Sequence, residues 1–238
     1  MEPTRIADLL TPFLGSNSLR AEQLEALRRY LELLTRWNAR MNLTAVRDEE
    51  GIVTRHFGES LFAAAQLFPS AKSSANRMSA GNAATQPGPR VIDLGSGAGF
   101  PGVPLKIYCS SLRLTLVESN QKKATFLREV IRALQLRDAD VFAGRGEELT
   151  TATTQPHFGI PPEVVTMRAV ERFESALPVA GELARMPGAN PKSRLALLVG
   201  KAQLPRVNEL APEFSWGSPI PVPQSKERVL VVGTSIVG

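Results

Sequence analysis

Asp93, Gly95, Gly97 and Gly99 stand at alternate positions in VIDLGSGAGFPG (91–102), with Phe100 next and Gly102 shortly after. A short apolar run that ends in an acid and opens into glycines reads as a buried strand turning sharply into a helix. Its backbone is bare enough for a ligand to lie against it. The chemistry this suggests is the binding of a nucleotide-like cofactor; glycines that merely shape a tight corner are the plainer alternative. A second acid, Glu118, ends the next strand candidate, RLTLVES. A carboxylate there accepts hydrogen bonds from both hydroxyls of an adenosine ribose, which suits NAD and S-adenosylmethionine equally. Its plainer role is a helix-entry acid held by the dipole. After the third strand candidate, Arg145-Gly146-Glu147-Glu148 forms a loop placed to flank an adenine.

The spacing separates some competitors. A dinucleotide fingerprint wants glycine at its first, third and sixth positions. Here the sixth is Phe100, and a glycine occupies the fifth. The lysine and Ser/Thr of a phosphate-binding loop are missing as well. D-x-G-x-G-x-G is instead similar to the pattern of S-adenosylmethionine-dependent methyltransferases, in which the glycines admit the methionine end of the cofactor. The single cysteine, Cys109, excludes an intrachain disulfide. With only two histidines, His56 and His157, far apart in the chain, no Cys/His metal site is expected.

These residues need a scaffold, and the chain divides into three parts. Residues 1–68 read as a helical extension. Ile6, Leu9, Leu10 and Phe13 share one face of a helix that stops near Gly15. A longer helix runs from about Leu19 to Arg40, with Leu24, Leu27, Leu31, Leu34, Trp37 and Met41 as its packing stripe. Arg20, Arg28, Arg29 and Glu32 lie opposite. Residues 69–89, rich in Ser, Ala, Asn and Gly, read as a flexible insertion. From 90 to 238, strand candidates at 90–94, 113–118, 139–143, 164–169 and 194–199 alternate with helical patterns, clearest at 120–135 and 172–186. FSWGSPIPV and RVLVVGTS follow with no helix between them. The expected fold class is α/β, a Rossmann-like class I methyltransferase. It has a mostly parallel seven-stranded sheet, a terminal antiparallel hairpin and an N-terminal helical extension.

Composition bounds the setting. A net charge of +5 favours an anionic partner. No apolar run reaches bilayer length, and the N-terminus is a poor signal peptide, so a cytoplasmic protein without membrane contact is expected. A monomer is the expected state.

Several segments together resemble one family, the bacterial small-subunit ribosomal RNA guanine-N7 methyltransferase G, also called glucose-inhibited division protein B. They are RWNARMNLTAV (36–46), RHFGESL (55–61), VIDLGSGAGFPGVPL (91–105), LVESNQKKATFL (116–127), GRGEEL (144–149) and TMRAV (166–170), with weaker matches at LLVGKAQ (197–203) and KERVLVV (226–232). The resemblance implies S-adenosyl-L-methionine as cofactor and N7 of a guanine in small-subunit ribosomal RNA as methyl acceptor. It implies cofactor contacts at Gly95 and Phe100, and at Gly146 and Glu147 beside the adenine. Arg168 matches an arginine at the active-site mouth and is the candidate for the chemical step as well as a further cofactor contact. Guanine N7 carries an in-plane lone pair and no proton at neutral pH, so alignment rather than a general base is required. Asn38 and Asn42 read as capping or turn residues, and His56 as a packed histidine that orders its segment. Lys122, Lys123, Lys201 and Arg228 are the candidate RNA contacts. Two departures stand out. The family's usual His-x-x-Asp-Ser is His56, Glu59 and Ser60 here, and its Lys-Gly after the fifth strand is reversed as Gly200-Lys201. A ribosome-assembly factor that has kept the fold, or an NAD-dependent oxidoreductase, are the competing readings.

Overall fold

The computed structural model describes residues 1–69, 88–150, 161–169 and 172–236. Most of the expected insertion therefore lies outside the described residues, as does His157.

The chain begins with helices α1 (Pro3–Leu14) and α2 (Ala21–Met41). A short α3 (Glu49–Gly51) then runs through a π-helical stretch, Ile52–Gly58, into α4 (Glu59–Leu67). The first two helices follow the apolar spacing. Ile6, Leu10 and Phe13 of α1 and Leu27, Leu31 and Leu34 of α2 are buried, whereas Leu24 and Trp37 are only partly so. Gly58 lets the π stretch meet α1 closely, because a Cβ there would stand 2.6 Å from the Phe13 ring.

The strands are β1 (Arg90–Leu94), β2 (Arg113–Val117), β3 (Ala139–Phe142), β4 (Val164–Arg168), β5 (Arg194–Gly200), β6 (Phe214–Trp216), β7 (Ile220–Pro221) and β8 (Arg228–Ser235). The first five are parallel, and β8 runs antiparallel beside β5. The order is β3-β2-β1-β4-β5-β8-β6, with β7 also paired to β8. Chain order reverses between β1 and β4, which opens a crevice at the carboxyl ends of those strands. The helices between strands are α5 (Gly102–Tyr108), α6 (Gln121–Ala133), α7 (Glu147–Thr150), α8 (Phe173–Ala184) and α9 (Leu204–Leu210).

One expectation needs correction. Among the described residues the sheet has eight strands rather than seven. FSWGSPIPV is not one strand but two, both facing β8. Trp216 pairs with Gly233 and Ile220 with Leu230, so four steps on one side match three on the other. The extra residue falls beside Pro219, which has no N–H to give to a ladder.

The sheet separates two apolar cores. One holds Ile92, Val165 and Leu197 against α8. The other packs Val91, Leu114 and Leu116 with α5, α6 and the N-terminal helices. The N-terminal extension thus shares a core with the sheet. Gln23 fastens α2 to the end of α5 by donating to the Ile107 and Tyr108 carbonyls at 2.8 and 2.9 Å.

Candidate active site

The loop after β1 is held by its own backbone. The Gly99 and Phe100 N–H groups donate to the Ser96 carbonyl at 2.7 and 3.0 Å. Gly95, Gly97 and Gly99 all have positive φ, at 69°, 59° and 95°, where a Cβ is strained. Two of these glycines serve different purposes. A Cβ on Gly97 would meet only the Gly95 carbonyl, at 3.9 Å, so that face is open. A Cβ on Gly99 would stand 2.6 Å from the Tyr30 hydroxyl and 2.8 Å from Val103. Gly99 is therefore bare so that α2 can approach. Tyr30 completes this contact by donating to the Ala98 carbonyl.

A cavity of about 580 Å³ opens over this loop. Of the sequence-expected cofactor contacts, Gly95, Gly97, Phe100, Glu118, Gly146, Glu147 and Arg168 line it. Asp93 and Gly99 are not among its lining residues and stand behind the loop. Asp93 is fully buried, and its carboxylate accepts from the Gly102 N–H at 3.0 Å and the Thr166 hydroxyl at 2.8 Å. Thr166 is its register neighbour on β4. Burial pushes the Asp93 carboxyl up to about 6, against these hydrogen bonds and the Arg168 charge. Asp93 sets the loop from behind.

Glu118 belongs to the cavity itself. Its Oε2 accepts from the Gly97 N–H at 2.9 Å and its Oε1 from the Asn120 N–H at 2.8 Å. Each carboxylate oxygen retains a second lone pair for a ribose hydroxyl. The open face at Gly97, beside this carboxylate and Gly146, fits S-adenosylmethionine.

The opposite wall comes from the N-terminal extension and β4. Arg168 is buried there, with Nε 3.1 Å and Nη2 2.9 Å from Glu59 Oε2. The two hydrogens of Nη2 are shared among three acceptors, Glu59 Oε2, the Arg55 carbonyl at 2.8 Å and His56 Nδ1 at 2.9 Å. Burial lowers the guanidinium's pKa, and Glu59 works in the other direction. His56 stacks on Phe100 with ring centroids 4.8 Å apart, and its Nε2 lies 2.6 Å from Thr44 Oγ1. Burial, then Arg168, Arg55 and Arg228, pull the imidazole down to about 3. His56 is packed, as its sequence context suggested, and lines the cavity too.

The RNA candidates divide. Lys123 lines the cavity, whereas Lys122, exposed on the same helix end, does not. The Asn120 side chain caps that end by accepting from both backbone N–H groups. Lys201 lies away from the cavity, with Nζ donating to the Lys226 carbonyl at 2.5 Å. Arg228 is not a free surface cation. Its Nε sits 3.1 Å from Glu59 Oε2 and its Nη2 donates to the Leu198 carbonyl at 3.1 Å. Arg145, in the loop expected to flank an adenine, and Arg172 line the cavity as well.

Thr44 was missed outright. It sits in the W-N-x-x-x-N-L-T segment, whose other members explain its place. Trp37 packs on Phe126 at 5.6 Å. Asn42 ends α2 in the left-handed region at φ 49°. The Asn38 side chain accepts from the Thr44 N–H at 2.9 Å and donates to the Val46 carbonyl at 3.3 Å. Asn42 caps the helix, as expected, whereas Asn38 lies within α2 and uses its side chain to hold the Thr44 segment that meets His56.

The strand order, the glycine turn after β1 and the carboxylate after β2 define a Rossmann-like, S-adenosylmethionine-dependent methyltransferase. Solved structures with this fold include TrmN from Thermus thermophilus, with TM-score 0.52 and 16% identity, covering 77% of this chain and 53% of that one. The Methanococcus jannaschii fibrillarin pre-rRNA processing protein has TM-score 0.51 and 10% identity, covering 63% and 67%. Residues 23–195 match the family described as rRNA small subunit methyltransferase G. Curated relatives of that name are 39% identical in Roseiflexus sp. strain RS-1, over 88% of this chain and 82% of the relative, and 38% identical in Stenotrophomonas maltophilia strain R551-3, over 88% and 90%. The chain belongs to the rRNA small subunit methyltransferase G family.

Proposed function

We propose that this protein methylates N7 of a guanine in small-subunit ribosomal RNA, as a cytoplasmic monomer. S-adenosylmethionine supplies an electrophilic methyl group on a sulfonium when bound. Gly95, Gly97, Glu118, Gly146 and Glu147 form the wall that would hold it. Arg168, Phe100, His56 and Thr44 form the wall that would face the base.

The observation that carries the reading is the condition of His56. Its Nδ1 is occupied by Arg168, and its low pKa keeps it neutral. The imidazole beside the cavity therefore has no lone pair free to take a proton. A reaction at guanine N7 needs none, because the attacking nitrogen already presents its lone pair. What the chain must supply is alignment. Arg168 acts here as a positioning residue, fixing His56 and the π-helical stretch against β4. Lys123, Arg145 and Arg172 place positive charge at the cavity for flanking phosphates.

The test is methyl transfer from labelled S-adenosylmethionine to small subunits that lack the modification, followed by mapping of the base. The expected product is one N7-methylguanine. No incorporation would favour the assembly-factor reading, and label on another atom would overturn the guanine-N7 assignment.

A further inference from the structure

The cavity wall holds a hydroxyl whose proton has no acceptor among the described residues. Thr44 Oγ1 accepts from the Val46 N–H at 3.1 Å and lies 2.6 Å from His56 Nε2. The far side of the ring decides which of these last two atoms donates. His56 Nδ1 is 2.9 Å from Arg168 Nη2, and a guanidinium nitrogen only donates. Nδ1 is therefore an acceptor and carries no hydrogen. The ring is neutral, so its one hydrogen sits on Nε2 and is donated to Thr44. Both acceptor positions of the Thr44 oxygen are then filled. Its own hydrogen remains, on a residue that lines the cavity beside Leu43, His56 and Arg168.

We infer that the Thr44 hydroxyl donates to O6 of the target guanine and selects guanine over adenine. This rests on the guanine-N7 reading above and adds to it the group that reads the base. Guanine presents two adjacent acceptors on this edge, N7 and O6, whereas adenine presents N7 beside an amino donor. An ordinary threonine serves either base, because its hydroxyl both donates and accepts. Thr44 has lost that freedom. The Arg168–His56 contact fixes it as a donor, so it matches O6 and leaves an adenine amino group opposed by a hydrogen. Transfer of the methyl group makes the base cationic and O6 a poorer acceptor. The bond is thus stronger before transfer than after, and Thr44 acts on selection and placement of the base.

The experiment compares two bases in two proteins. Small subunits are reconstituted with guanine at the mapped site or with 2-aminopurine, which keeps N7 and lacks O6. Wild-type kcat/KM for N7 methylation is expected to fall about 10- to 100-fold on 2-aminopurine. Thr44→Val is expected to lose a similar factor on guanine and almost nothing more on 2-aminopurine. Thr44→Ser keeps the hydroxyl and stays within about threefold of wild type. Losses that multiply in Thr44→Val on 2-aminopurine overturn the inference, since a disturbed wall would act regardless of O6. So does a tenfold or greater weakening of S-adenosylmethionine binding in Thr44→Val, which would put the hydroxyl on the cofactor. If wild type fails to methylate N7 of the guanine-bearing subunits, the guanine reading falls as well, and the two failures are told apart.

Discussion

The two walls of the cavity are built on different principles. The glycine-turn wall offers backbone and the carboxylates of Glu118 and Glu147, and its bare face at Gly97 is left for a ligand. The opposite wall is a network of side chains, in which Arg228 Nε lies near Glu59 as an ion pair without a hydrogen bond. Glu59 holds Arg168 and Arg228, Arg168 holds His56, and His56 holds Thr44. One wall is open by local geometry, and the other is preorganised by contacts that reach from the N-terminal helices to Arg168 and Arg228, more than a hundred positions away. A binding surface can rest on a single turn, whereas orienting a base requires groups that do not move.

The largest effect should come from breaking the network at its acid. Glu59→Gln leaves two guanidinium groups uncompensated beside a buried site, and a loss of about 3–5 kcal/mol in urea unfolding is expected. A loss below about 1 kcal/mol would mean the charges are independently satisfied. The glycine wall should divide next. Gly99→Ala, pressed on Tyr30 and Val103 at positive φ, should cost about 2–4 kcal/mol of stability. Gly97→Val meets open space, so its strain should be nearer 1–2 kcal/mol while S-adenosylmethionine affinity falls at least about 100-fold by calorimetry. Similar profiles for the two variants would erase the distinction between these glycines.

The pH dependence sharpens the comparison further. His56 has its pKa lowered from 6.5 to about 3 in the folded protein. The unfolded chain then binds a proton that the folded one refuses. Stability from this group is full above about pH 6.5 and declines as pH falls toward 3. Between pH 7.5 and 5.5, wild type should lose about 1.4 kcal/mol more than His56→Gln in denaturant midpoints. Asp93, with its pKa raised to about 6, contributes with opposite sign below that pH, and the difference between the two proteins removes its share. The smallest effect is expected at the rim. Lys123→Gln should weaken RNA binding a few-fold and flatten the salt dependence by roughly one phosphate contact.

Legibility in the sequence follows the same division. The glycine wall was readable because strand, turn and carboxylate are each a local pattern, and Gly95, Gly97 and Glu118 all reach the cavity. The sheet was readable for the same reason. For Asp93 and Gly99 the motif does not reveal which way its members face. One points back to Thr166 and the other toward Tyr30. The second wall was largely hidden. The resemblance supplied Arg168, but its partners Glu59 and His56 lie on a different element, and no periodicity joins them. Thr44 carried no signal beyond its place in a shared segment. Arg228 reads as a candidate RNA contact because charge type alone does not reveal a buried carboxylate nearby.

The register shift between β6 and β7 has a consequence at the outer margin of the sheet. With one residue too many between Trp216 and Ile220, and prolines at 219 and 221, that margin lacks the straight row of donors another strand would need. The other margin, β3, is four residues long. Neither side offers a template on which a second chain could extend the ladder, so strand-to-strand aggregation has no easy start.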